Sequence, residues 1–135
     1  SYPTHYLAKP NKNKTQQYGT VIPGRKETYV FNNEKDYFED YQKSYYGVTS
    51  KKAGWDCMRH YEIMGNYCLP YFPDMKDCPK NTLFNFPKEL IIEGTELASN
   101  FDIDEYYRIL DSIYDYTKNN LTTKAIAQYI IDKVQ

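Results

Sequence analysis

Trp55-Asp-Cys-Met-Arg-His-Tyr-Glu-Ile-Met-Gly-Asn-Tyr-Cys-Leu-Pro-Tyr-Phe72 reads as a short helix running straight into a buried strand. Helical spacing puts Cys57, Tyr61, Met64 and Cys68 on one apolar stripe, which suits a core. Trp55, Arg59, Glu62 and Asn66 repeat that spacing on a second, polar face. An exposed Arg–Glu pair three residues apart stabilises a helix by only about 0.3–0.5 kcal/mol, so spacing alone makes Arg59 and Glu62 an ordinary surface contact. Cys68-Leu-Pro-Tyr-Phe72 then begins a strand, with Pro70 near its start, where a missing N–H is tolerable.

Upstream, the β-branched and aromatic run Thr28-Tyr-Val-Phe31 predicts a first strand. Asn32-Asn33 caps a helix running to about Ser44, with Glu34 and Asp36 in its first turn and Tyr37, Phe38, Tyr41 and Tyr45 as its apolar stripe. Tyr46-Gly-Val-Thr49 is a second strand, and Ser50 to Gly54 a loop. Downstream, Glu89-Leu-Ile-Ile92 is a fourth strand or a short buried turn. Ile103 to about Lys118 is a helix with Tyr106, Leu110, Ile113 and Thr117 on one face and Ile109 and Tyr116 beside them. Asn119-Asn120 suits a left-handed cap, and Thr122 caps a last helix in which Ile126, Tyr129 and Ile130 share a face. Strands alternating with helices imply an α/β fold: a small parallel sheet of three to four strands with helices on both faces, a Rossmann-like half, and a helical C-terminus. Residues 1–26 are polar, broken by Pro3, Pro10 and Pro23, and read as an extended arm or inter-lobe linker; residues 27–135 read as a single α/β domain.

Composition narrows the function classes. The 135 residues carry a formal net charge of −1, which argues against a nucleic-acid footprint. No run of 18 apolar residues is present to span a membrane, and no secretory n-region and h-region is visible. Sixteen tyrosines supply rings whose hydroxyls need partners, so the core should have a polar margin. The three cysteines, Cys57, Cys68 and Cys78, match no disulfide framework, and a reducing cytoplasmic setting is the simplest reading. A zinc held by them with His60 has the wrong spacing for a structural site, so no metal is expected. His60 lies off the Arg59–Glu62 face, within reach of Asp56, and reads as structural. No nucleophile triad, G-x-G-x-x-G or P-loop is present.

Position gives the polar face its meaning. In an open parallel sheet, ligands bind beyond the carboxyl ends of the strands. The loop Ser50 to Gly54 leaves the second strand there and delivers Gly54, Trp55 and Asp56 to a helix N-terminus, where free N–H groups favour an anion such as a diphosphate. Lys51 and Lys52 add positive charge, although a lysine pair in a loop is more often just solvated. Asp56 can cap the helix itself and compete with an anion.

Arg59, Glu62, Cys68, Leu69 and Pro70 share their residue types and offsets with a pattern in the C-terminal lobe of GT-B glycosyltransferases, and the chain most closely resembles the exostosin-like family over roughly residues 28 to 93. Tyr46-Gly-Val-Thr49 resembles the strand before the nucleotide-sugar loop, and Asp74-Met-Lys-Asp-Cys-Pro79 occupies the place of the post-strand loop. The resemblance implies that Glu62 binds the ribose hydroxyls, that Arg59 meets the diphosphate, and that the reaction is hexosyl or related transfer from a nucleotide-sugar donor to a glycan acceptor, with no further cofactor. It also implies a second lobe, which 135 residues cannot supply. The polar start is compatible with a chain cut at the inter-lobe linker, and an exposed Tyr-rich face is able to pair two copies where that lobe would sit. The family usually has Gly just before the Cys, where this chain has Tyr67, so Gly65 or Asn66 is expected to take the strained position of the turn.

The expected substrate site is therefore Arg59, Glu62, Gly54, Trp55, Lys51, Lys52 and Asn66, with catalytic residues unassigned. The alternative is a non-catalytic α/β interaction domain that keeps the fold without the activity. Donor binding requires Arg59 and Glu62 together at a cleft; a buried Glu62 tied up by tyrosine hydroxyls favours the alternative.

Overall fold

The computed structural model describes residues 1–134. Three short parallel strands, β1 (Gln16–Tyr18), β2 (Ser44–Val48) and β3 (Leu69–Tyr71), form one sheet in sequence order. Helix α1 (Glu34–Gln42) crosses from β1 to β2, and α2 (Met58–Gly65) crosses from β2 to β3. Beyond β3 come α3 (Lys88–Leu97), α4 (Ile103–Tyr116), a π-helical turn (Thr117–Leu121) and α5 (Thr123–Val134). The α/β class, the parallel sheet and the helical C-terminus are those read from the sequence.

Helices cover both faces. On one face Ile63 of α2 lies against Gly47 of β2, where an added Cβ would come within 2.7 Å of its side chain. Tyr41 of α1, Ile63 and Cys68 form a small buried cluster there. On the other face the Tyr46 hydroxyl donates to the Gly94 carbonyl of α3 at 2.8 Å, and Tyr106 of α4 packs edge-on against Tyr46. This is the larger core, in which Leu69, Ile91, Ile109, Leu110 and Ile113 are buried. The polar margin expected of a tyrosine-rich core is visible: the hydroxyls of Tyr106, Tyr114 and Tyr116 each donate to a backbone carbonyl, of Tyr45, Ala8 and Asn85 respectively.

Two predicted strands are corrected. Thr28–Phe31 joins no ladder, because the Thr28 hydroxyl donates to the Arg25 carbonyl at 2.6 Å and accepts from the Ile22 N–H at 2.9 Å, closing a 3₁₀ turn at Lys26–Thr28. The sheet takes the polar Gln16–Tyr18 as its edge strand instead. The Gln16 side-chain amide is satisfied by Asp40 at 2.9 Å and Ser44 at 2.7 Å, a partnership that hydropathy cannot show. Glu89–Ile92 is the start of helix α3, not a strand. A four-residue apolar run carries no period of its own, and Ile91, Gly94 and Leu97 show the helical one only over the longer segment.

The first 26 residues are not a free arm. Tyr2 is buried; its N–H donates to the Leu121 carbonyl and its carbonyl accepts from the Thr123 N–H, both at 2.9 Å. Ala8 N–H donates to the Gly65 carbonyl at 2.9 Å, and β1 follows. Lys14 is buried as well, its ammonium donating to the carbonyls of Gln42 and Tyr67. Burial lowers its pKa to about 8. The unfolded chain therefore binds more protons than the folded one between that value and the ordinary lysine range, and stability due to Lys14 rises across that window. Wild type should gain stability relative to Lys14→Met as pH is raised from about 7.5 to 9.5 in denaturant titrations; a difference flat with pH would refute the lowered pKa of Lys14.

Helix α5 has no buried residue, and Tyr129, Ile130, Ile131 and Val134 are exposed along it. Its start is capped as expected, with the Ala125 N–H donating to the Thr122 hydroxyl at 3.2 Å. No helix among the described residues is long and apolar enough to cross a membrane.

Candidate functional site

The join of α2 to β3 is a six-residue hydrogen-bonded turn. The Cys68 N–H reaches back to the Ile63 carbonyl at 3.2 Å and the Tyr67 N–H to the Met64 carbonyl at 3.3 Å, the Schellman pattern of helix termination. That pattern requires a left-handed residue, and Tyr67 supplies it with φ 54°. The expectation that Gly65 or Asn66 takes this position is corrected. Glycine normally fills it because a Cβ there costs about 1–2 kcal/mol. Tyr67 is held regardless: its ring is buried, its hydroxyl donates to Asp111, and its carbonyl takes the Lys14 ammonium.

Asn66 is fully engaged. Its amide nitrogen donates to the Glu62 carbonyl at 2.7 Å and toward the Tyr2 hydroxyl at 3.4 Å, and its oxygen accepts from Gln42 at 3.0 Å. With no polar atom left to offer, it closes the end of α2 and is not placed to touch a ligand. Gly65 is in the helix for a packing reason, since an added Cβ would lie 2.4 Å from the Tyr2 ring.

The start of α2 also differs from expectation. The helix begins at Met58, with Cys57 at the cap position and no side-chain cap, so Gly54, Trp55 and Asp56 precede it as loop. Trp55 is fixed by stacking on Phe72, with centroids 6.5 Å apart, and by its carbonyl, which accepts from His60 Nε2 at 2.8 Å. A carbonyl only accepts, so Nε2 carries the proton and Nδ1 accepts from the Thr49 hydroxyl at 2.8 Å. His60 is thus structural, though its partners are Trp55 and Thr49 and not Asp56. Burial lowers its pKa and keeps it neutral. Lys51 and Lys52 are exposed, and the Lys51 ammonium lies 5.4 Å from the Trp55 ring centroid.

Arg59 stands apart from these. It lines a pocket of about 380 Å³ beyond the carboxyl end of β1, walled by Val21, Tyr29, Phe31, Asn32, Asn33, Glu34 and Tyr37. Its Nε is buried without a hydrogen-bond partner, and no carboxylate lies within ion-pair distance of its guanidinium among the described residues. The Tyr29 ring lies alongside it, 5.9 Å from centroid to Cζ. An unsatisfied buried group on a cation is costly to leave, so its occurrence at a pocket wall calls for an explanation.

Glu62 sits one turn on, half-buried behind Tyr37. Its Oε1 accepts the Tyr37 hydroxyl at 3.0 Å, and the Tyr37 and Tyr41 hydroxyls are 3.2 Å apart. Burial raises the pKa of Glu62, against the opposing effects of the Tyr37 hydrogen bond and of Arg59. The structure therefore brings Arg59 and Tyr37 to one pocket, sets Glu62 behind Tyr37 and off its lining, leaves Lys51, Lys52, Gly54 and Trp55 on the loop before α2, and takes Asn66 out of the site. The walls from Tyr29 to Glu34 went unrecognised in the sequence, because Thr28–Phe31 has strand composition. Among the described residues no three His, Cys, Asp or Glu side chains cluster as a metal site requires, and the three cysteines are free thiols. No family model, curated protein or solved structure matches the chain.

Proposed function

We propose that the chain is the nucleotide-sugar donor-binding lobe of a glycosyltransferase, with a second lobe supplying the glycan acceptor site. The observation that carries this reading is the Arg59 Nε, buried without a hydrogen-bond partner at a pocket beyond the carboxyl end of β1. A diphosphate fits a guanidinium fork, and the open end of a parallel sheet is where such ligands bind. In this reading the ribose diol replaces the Tyr37 hydroxyl on Glu62, since a carboxylate accepts two hydrogen bonds from adjacent hydroxyls. The left-handed φ of Tyr67 is one that glycine, the residue the exostosin-like pattern usually has there, adopts readily.

Thermal unfolding with a panel of nucleoside diphosphates and nucleotide sugars tests the proposal. A ligand at a hundred times its Kd should raise stability by about 2.7 kcal/mol, and Arg59→Ala or Glu62→Ala should abolish the shift. Tyr37→Phe, which frees Glu62, should keep it. No shift with any nucleotide at millimolar concentration overturns the donor reading.

The Tyr37–Glu62 hydrogen bond favours a second reading, a non-catalytic α/β interaction domain in which the carboxylate is only structural. There, Tyr37→Phe and Glu62→Ala change stability alone. Phe84, 83% exposed, and the exposed apolar residues of α5 are the surface such a domain would offer to another lobe or a second copy.

A further inference from the structure

We propose that Tyr29 is the platform on which this pocket stacks a nucleobase, so that the chain selects a nucleoside diphosphate over a bare sugar phosphate. The inference rests on the reading of Arg59 and Glu62 as a donor grip and assigns the part of the ligand which that reading leaves unplaced.

Thr28-Tyr-Val-Phe31 has the composition of a buried strand, yet Tyr29 is 44% and Val30 56% exposed. A local turn, with the Val30 N–H donating to the Thr28 carbonyl at 3.0 Å, shapes this segment, and Tyr29 and Phe31 line the pocket. The Tyr29 ring is not loose there. Its hydroxyl accepts from the Gly24 N–H at 3.1 Å, and Gly24 holds a left-handed backbone at φ 83°. A ring fixed at its tip and left open to solvent is preorganised to stack at little entropic cost. Phe31 continues the wall, its centroid 6.2 Å from that of Tyr37, whose hydroxyl meets Glu62.

Charge orients the ligand along this wall. Arg59 and Lys52 act on the Tyr29 hydroxyl, which the Gly24 N–H first of all draws below its ordinary pKa. Glu34, on the same lining, repels phosphate, so the anionic group belongs beside Arg59 and the base on the Tyr29 ring next to it. The exposed Asn32 amide offers a donor and an acceptor side by side, a match for a base edge.

The test measures affinities of the whole chain for uridine 5′-diphosphate, adenosine 5′-diphosphate, ribose 5-phosphate and inorganic pyrophosphate by calorimetry. Tyr29→Ala should weaken the nucleotides roughly five- to hundredfold and leave pyrophosphate and ribose 5-phosphate unchanged. Tyr29→Phe, which keeps the ring, should bind within a few-fold of wild type. Nucleotide affinity unchanged in Tyr29→Ala overturns the platform while the donor grip stands, as does an equal loss for nucleotides and pyrophosphate, which would mean that Tyr29 acts only through Arg59. Wild type binding none of the four overturns both readings.

Discussion

Tyr67→Gly should destabilise the chain, although it places glycine where the backbone asks for it. The substitution relieves the left-handed Cβ, a gain of about 1–2 kcal/mol. Against this it deletes a buried ring, and truncating a buried aromatic costs about 3–5 kcal/mol. It also removes the hydroxyl that donates to Asp111. The net loss should be roughly 2–4 kcal/mol, about 10 °C in Tm for a domain of this size. Tyr67→Phe should lose only the hydroxyl bond, about 1 kcal/mol. A Tyr67→Gly chain as stable as wild type would mean that neither the ring nor its bond to Asp111 holds the join of α2 to β3.

Gly65→Val should cost at least as much. Its Cβ would enter the Tyr2 ring, which cannot retreat freely because the Tyr2 backbone is bonded on both sides to the Leu121–Thr123 segment. Overpacking of this kind costs about 1–3 kcal/mol, and expulsion of Tyr2 from the core adds the loss of its buried ring. Tyr2→Ala should therefore cost about 3–5 kcal/mol alone, and the double variant should be markedly less destabilised than the sum, because both changes break one contact. Urea midpoints of the three variants measure this. Strict additivity would show that the first residues do not pack on α2.

Both variants lie where sequence and structure part for an identifiable reason. The regular helices were legible because they bury one face: Tyr106, Leu110, Ile113 and Thr117 repeat at helical spacing, and all four are buried. The strands β2 and β3 were legible because apolar residues flank them on both faces of the sheet. β1 was not, since an edge strand whose Gln16 is satisfied by Asp40 and Ser44 needs no hydropathy pattern. The anchoring of Tyr2 and Lys14 was equally hidden, because it depends on partners more than 50 residues away. Within the site, spacing placed Arg59 and Glu62 on one helix face, but it could not show that Tyr37 of α1 stands between Glu62 and the pocket. It misplaced Asn66 for a related reason: the periodicity that puts Asn66 on the polar face runs past Gly65, where the helix ends and the chain turns inward. Tyr29 was read as strand because its neighbours favour one, and it was left exposed by a turn that Thr28 and Gly24 form locally.

In the donor-binding reading proposed above, Arg59 takes an anionic partner in the pocket beyond β1. Calorimetric titration of uridine and adenosine 5′-diphosphates into the wild-type chain and into Arg59→Ala tests it most directly. One saturable site is expected in the wild type, weakened at least tenfold in an Arg59→Ala chain that melts at an unchanged or higher temperature, since the variant sheds an unsatisfied buried nitrogen. No saturable binding in the wild type, or equal binding in the two chains, would contradict it.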